Sequence, residues 1–119
     1  MAFDAGLVEW TKDVLEPLGV VTMRRMMGAA TLYLDGTIFA IVDDGEIWFK
    51  ADAESNAIWD EAGCERFTIA FSATNIGTVN YRRAPADVYD DPEAIREWAA
   101  LGIAAGERAP KKTRRAKRI

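Results

Sequence analysis

The chain has 119 residues, half of them hydrophobic and 29% charged, which is the size and balance of one soluble globular domain. It contains no histidine and a single cysteine, Cys64. Imidazole-based catalysis, imidazole zinc sites, thiolate clusters and internal disulfides are thereby excluded.

Charge is distributed unevenly. The whole chain carries −4, from 15 basic and 19 acidic residues. Seven of the basic residues fall in the last twelve positions: Arg108, Lys111, Lys112, Arg114, Arg115, Lys117 and Arg118. No acidic residue lies among them, so the other eight cations face all 19 acids and residues 1–107 carry −11. A lone cysteine without a secretory signal points to a reducing cytoplasm, and no apolar run is long enough to span a bilayer.

Phe3, Leu7, Trp10, Val14 and Leu18 recur at steps of three and four, which predicts an amphipathic first helix. Asp4 is placed to cap it, and Pro17 with Gly19 ends it near Glu16–Leu18. Residues 20–51 then read as strands. Ala30–Leu34, Thr37–Val42 and Glu46–Lys50 are separated by Asp35-Gly36 and Asp44-Gly45. Asp-Gly between apolar runs predicts tight antiparallel hairpins, because glycine accepts the positive φ that primed turns demand. Val20–Met26 is either a separate strand or an extension bent at Gly28.

Asp52–Ala62 is predicted helical, with Ile58 and Trp59 on its apolar side and Gly63 just past its end. Phe67–Phe71 alternates as a half-buried strand, and Thr78–Arg82 is a second one. Asp91-Pro92 opens the last helix, with Ile95, Trp98, Ala99 and Gly102 as its buried stripe and Gly106 as its stop. The order is α, three strands, α, two strands, α. Segregated elements of this kind predict an α+β fold with a largely antiparallel sheet. The division expected is a domain over residues 1–106 and a basic tail over 107–119, which has too little apolar content to fold alone.

Val21 to Gly28, Leu32-Tyr33-Leu34-Asp35-Gly36, Ile38-Phe39-Ala40 and Trp48-Phe49-Lys50 together resemble the strand block of the TfoX N-terminal domain family. Ala62-Gly63 before Phe67, Tyr81 before Pro85, and Asp91-Pro92 with Trp98 extend the resemblance through Ala105. It implies a secretion-chaperone-like α-β3-α-β2-α fold, a homodimer, and a non-enzymatic regulatory role without cofactors. Relatives in this family regulate DNA competence and carry a second, C-terminal domain.

Two groups of residues are candidates for contact. Arg24, Arg25, Met26 and Gly28 offer cations beside a flexible backbone, while Tyr81, Arg82 and Arg83 combine an aromatic ring with two cations; together they form a candidate surface for a protein partner not yet identified. Arg24 and Arg25 are neighbours in a strand and so point to opposite faces. Ion pairing with the acidic body and protection of a sheet edge would use the same residues. The basic tail, Arg108 to Arg118, suits salt-sensitive, sequence-independent contact with nucleic acid. It equally suits a solubilising terminus, or one that folds back on the acidic body. The four tryptophans and the three methionines Met23, Met26 and Met27 read as core filling. Asp43, Asp44 and Glu46, and Asp87, Asp90 and Asp91, read as turn and cap chemistry rather than as a metal site.

Overall fold

The computed structural model describes residues 4–26, 28–70 and 76–109. Helix α1 runs from Ala5 to Val14 and is capped by Asp4, whose carboxylate accepts from Leu7 N at 3.0 Å. A 3₁₀ turn over Glu16–Leu18 follows. Strands β1 (Val21–Met26), β2 (Ala29–Leu34), β3 (Thr37–Asp43) and β4 (Glu46–Lys50) form a meander. Helix α2 spans Asn56–Glu61, β5 spans Arg66–Ala70 and β6 spans Ile76–Arg83. A second 3₁₀ turn leads into the long helix α3, Pro92–Arg108. The six strands make one antiparallel sheet in the order β1-β2-β3-β4-β6-β5, an α+β architecture.

The two Asp-Gly pairs sit where the hairpins turn. Asp35 and Gly36 have φ of 49° and 91°, and Asp44 and Gly45 have 55° and 77°. Both central residues are left-handed, as the twist of two-residue hairpins requires. The first block holds four strands rather than three, because Val21–Met26 pairs with the whole length of β2 and is a strand in its own right.

All three helices pack on one face of the sheet. Val8 and Leu15 from the first helical segment, Trp59 from α2, and Ile95 and Ala99 from α3 join Leu32, Val42, Ile47 and Phe49 in a single buried cluster. A register shift in the β2–β3 pairing leaves Phe39 between the partners Ile38 and Ala40, and both Phe39 and Ala40 are buried in that cluster. Phe39, Phe49, Trp59 and Trp98 form an aromatic chain, with successive ring centroids 6.4, 6.0 and 5.0 Å apart.

Four expectations are corrected here. The first helix ends at Val14, so the turn that follows buries Leu15 fully and leaves Leu18 39% exposed. Helix α2 starts at Asn56, because Asp52 and Ser55 bond one another's backbone N–H at 3.1 Å and hold the preceding residues in a turn. Ile58 accordingly faces solvent, at 46% exposure. Gly106 does not stop α3, which continues to Arg108; a Cβ at Gly106 would strike the Ile38 carbonyl, and one at Gly102 would lie 2.8 Å from the Phe39 carbonyl. The two glycines let the helix lie directly on the backbone of β3. Phe71, read as the end of a strand, lies outside the described residues.

Candidate interaction face

The opposite face of the sheet carries no helix among the described residues. Strand alternation and register place Arg24 of β1, Thr31 and Tyr33 of β2, Ile41 of β3, Trp48 and Lys50 of β4, and Tyr81 and Arg83 of β6 on it. Ala29, Ile41 and Trp48 form its buried centre, with Phe67 and Tyr81 packed against them. Trp48 and Phe67 meet edge to face, 4.9 Å between centroids.

Three rings of this aromatic surface are covered by cations from the protein itself. The Arg24 guanidinium carbon lies 5.9 Å from the Tyr33 ring centre, Lys50 Nζ 5.2 Å from that of Tyr81, and the Arg83 guanidinium carbon 5.1 Å from that of Trp48. Such contacts hold long side chains flat on the sheet at a gain of about 0.5–1 kcal/mol each where exposed. They also leave positive charge facing outward over an apolar floor. Burial, together with the nearby Tyr33, pushes the Tyr81 hydroxyl up to about 12, so this ring remains neutral through the physiological range.

The residues singled out from sequence divide between the faces. Arg24, Tyr81 and Arg83 belong to the open face. Arg25 is exposed on the opposite side of β1, Met26 closes β1 opposite Ala29, and Gly28 is exposed in the β1–β2 turn with φ of 86°. Arg82 turns the other way and is 1% exposed. Its guanidinium donates to Asp60 at 2.7 Å, to the Cys64 carbonyl at 3.0 Å, to Asn56 at 3.0 Å and to Asn80 at 3.1 Å. It ties α2 to β6 and is closed off from solvent, which removes it from the contact surface. Arg83, its neighbour, bridges Glu46 at 2.8 Å and Glu65 at 2.7 Å.

Arg108 likewise leaves the tail for the body. It is the last residue of α3 and pairs with Asp52 at 2.7 Å and Glu54 at 3.1 Å. Its side-chain hydrogen bonds hold the Asp52 carboxyl down at about 2. Lys111, Lys112, Arg114, Arg115, Lys117 and Arg118 lie outside the described residues.

Sequence reading missed Tyr33, Trp48, Lys50 and Phe67 as members of the face. The signal was present in strand parity: Trp48 alternates with Ile47 and Phe49, and Tyr33 with Leu32 and Leu34, so each aromatic ring stands opposite the core-facing residues. What parity alone does not show is which side the helices cover.

The family model of the TfoX N-terminal domain matches residues 13–106. The chain belongs to the TfoX N-terminal domain family. It is also 35% identical, over 69 residues, to the DNA transformation protein TfoX1 of Aliivibrio fischeri. That match covers 58% of this chain but 32% of the relative, so the matched segment corresponds to about a third of that protein. Every strand from β1 to β6 lies within the family match, and with them the whole open face.

Proposed function

We propose that this TfoX N-terminal domain is a non-catalytic, cytoplasmic regulatory module that docks a protein partner on its open sheet face. The observation carrying the reading is that face itself: four aromatic residues, Tyr33, Trp48, Phe67 and Tyr81, spread over four strands of the sheet with cations laid on three of them and, among the described residues, no helix covering them. Aromatic and arginine side chains on a rigid surface are the residue types that dominate protein recognition. The name of the A. fischeri relative supports DNA transformation as the regulated process. Two copies of the domain are a further candidate assembly.

The test is capture of partners from an extract of the native cell by the wild-type chain and by an Arg24→Glu/Lys50→Glu variant. The variant should retain at least about ten-fold less of any specific partner, since two reversed charges oppose the same partner surface. A Glu97→Lys change, exposed on α3, should leave capture unaltered. Equal capture by all three chains sinks the proposal.

Charge asymmetry favours a second reading, in which residues 110–119 contact nucleic acid without sequence selection. Truncation after Ala109 should then abolish salt-sensitive binding to generic duplex DNA. Binding that survives truncation excludes the tail.

A further inference from the structure

The open face is divided by charge along its strands. Among the described residues, Asp43 and Glu46 are the only acids in strands β1 to β6, and they pair with each other beside the β3–β4 turn. Arg83 bridges Glu46 and Glu65 at that end. Towards the opposite end lie Tyr33, with the Arg24 guanidinium over it, and Lys50, with its ammonium over Tyr81. We propose that this basic end binds an extended segment of the docked partner that presents two carboxylates about four residues apart, one to Arg24 and one to Lys50.

Three observations specify that ligand. The first is uncompensated charge. Residues 1–107 carry −11, yet neither Arg24 nor Lys50 makes an ion pair among the described residues. Asp35, in the adjoining β2–β3 turn, accepts from the Val20 N–H at 3.1 Å instead. Arg83, the third cation laid on a ring of this face, is by contrast neutralised by two glutamates. The second is preorganisation. Tyr33 and Tyr81 hold the two cationic heads against the sheet, so less side-chain freedom is lost when a carboxylate arrives. The third is spacing. Strands β2 and β6, which carry the two rings, are three positions apart in the sheet, about 14 Å. Residues i and i+4 of an extended chain lie about 13 Å apart and on the same side. Between the cations the face presents half-buried Ile38 over buried Ile41, a floor that suits aliphatic residues between the two carboxylates.

A nucleic acid strand fits this surface less well. Its bases need open rings for stacking, but Tyr33, Tyr81 and Trp48 already carry cations and Phe67 is packed against Trp48. Its closely set phosphates would also meet Asp43 and Glu46 at the acidic end.

The inference rests on the open face being a docking surface, and experiment separates the two. Capped Glu-Val-Thr-Val-Glu is titrated into the ¹⁵N-labelled full chain and followed by NMR, at about 0.1 M salt so that long-range attraction is screened. Its glutamine counterpart, the isomer Val-Thr-Glu-Glu-Val and a single-stranded hexathymidylate are titrated in parallel. The backbone amides of residues 22–24, 33, 50 and 81 should shift saturably with the first peptide, several-fold more weakly with the isomer, and not with the glutamine peptide. Arg24→Gln/Lys50→Gln should weaken binding about ten-fold, as expected for the loss of two exposed charge contacts. Arg83→Gln should leave it unaltered, because that cation is already neutralised.

Equal binding of the glutamine peptide or of the isomer, no saturable shift at millimolar peptide, undiminished binding by Arg24→Gln/Lys50→Gln, or tighter binding of the hexathymidylate would each overturn the assignment. If the glutamate peptide binds as expected while Arg24→Glu/Lys50→Glu captures partners like wild type, the site for acidic segments stands and the docking face falls. If that variant loses capture while the glutamate peptide does nothing, the face stands and the acidic segment falls.

Discussion

The two faces of this sheet handle cations in opposite ways. On the helix-covered face, Arg82 is 1% exposed and its guanidinium makes four hydrogen bonds to Asp60, Asn56, Asn80 and the Cys64 carbonyl. On the open face, Arg24, Lys50 and Arg83 lie over aromatic rings with water beyond them. Adjacent residues of one strand, Arg82 and Arg83, thus hold the fold together and coat its surface respectively. A guanidinium taken out of water must have its donors satisfied, whereas one left at the surface can exchange an internal contact for an external one at little cost.

Breaking the covered side should have the largest effect. Arg82→Ala takes the guanidinium donors from Asp60, Asn80 and the Cys64 carbonyl and opens a cavity, and should cost about 3–5 kcal/mol in denaturant unfolding. Arg82→Met keeps the volume but loses the same hydrogen bonds, and should cost less; if it were as stable as the wild type, the buried network would not be what joins α2 to β6. Gly106→Val comes next. Its side chain meets the Ile38 carbonyl and Thr37, so overpacking should cost about 2–3 kcal/mol and lower the thermal midpoint accordingly. A gain in stability, as expected from helix propensity alone, would show that α3 can lift from β3.

The Asp52–Arg108 pair is intermediate, lying at the boundary between α3 and the basic segment. Asp52 sits at about 2 rather than 3.8. A carboxylate whose value is depressed by folding stabilises the fold above its unfolded value and ceases to do so as pH falls through the folded one. Stability should therefore decline between about pH 4 and pH 2, and Asp52→Asn should flatten that part of the profile while costing about 1 kcal/mol at neutral pH. The smallest effects belong to the open face. Arg83→Ala should change stability by about 1 kcal/mol or less, because its partners are exposed. In an ultraviolet titration Tyr81 should ionise near pH 12, and Tyr81→Phe should remove that late step; ionisation near 10 would mean that the ring is more open to solvent than the structure places it.

Much of the fold was legible before the structure. Asp4 and Asp91 cap the helices they were expected to cap, both Asp-Gly pairs turn hairpins, and Ile95, Ala99 and Gly102 face the core. These are local decisions, set by side-chain capping, by backbone φ and by helical period. Where the reading failed, a local turn or a contact remote in sequence decided the outcome. Leu18 and Ile58 continue the apolar periods of their helices yet face solvent, since turns nearby end α1 and delay α2. Gly106 resembles a helix stop but serves as a contact point for β3.

The candidate face was legible only in part, through Arg24, Tyr81 and Arg83. Tyr33, Trp48, Lys50 and Phe67 were invisible as a group because they lie on separate strands and meet only after the sheet is ordered. The sequence by itself determined the elements, the turns and the alternation that sends Arg82 and Arg83 to opposite sides, because each depends on residues a few positions apart. Only the tertiary structure decided which side the helices would cover. That choice follows from the summed burial of α1, α2 and α3 against one face, and it made one arginine a buried tie and its neighbour a surface cation.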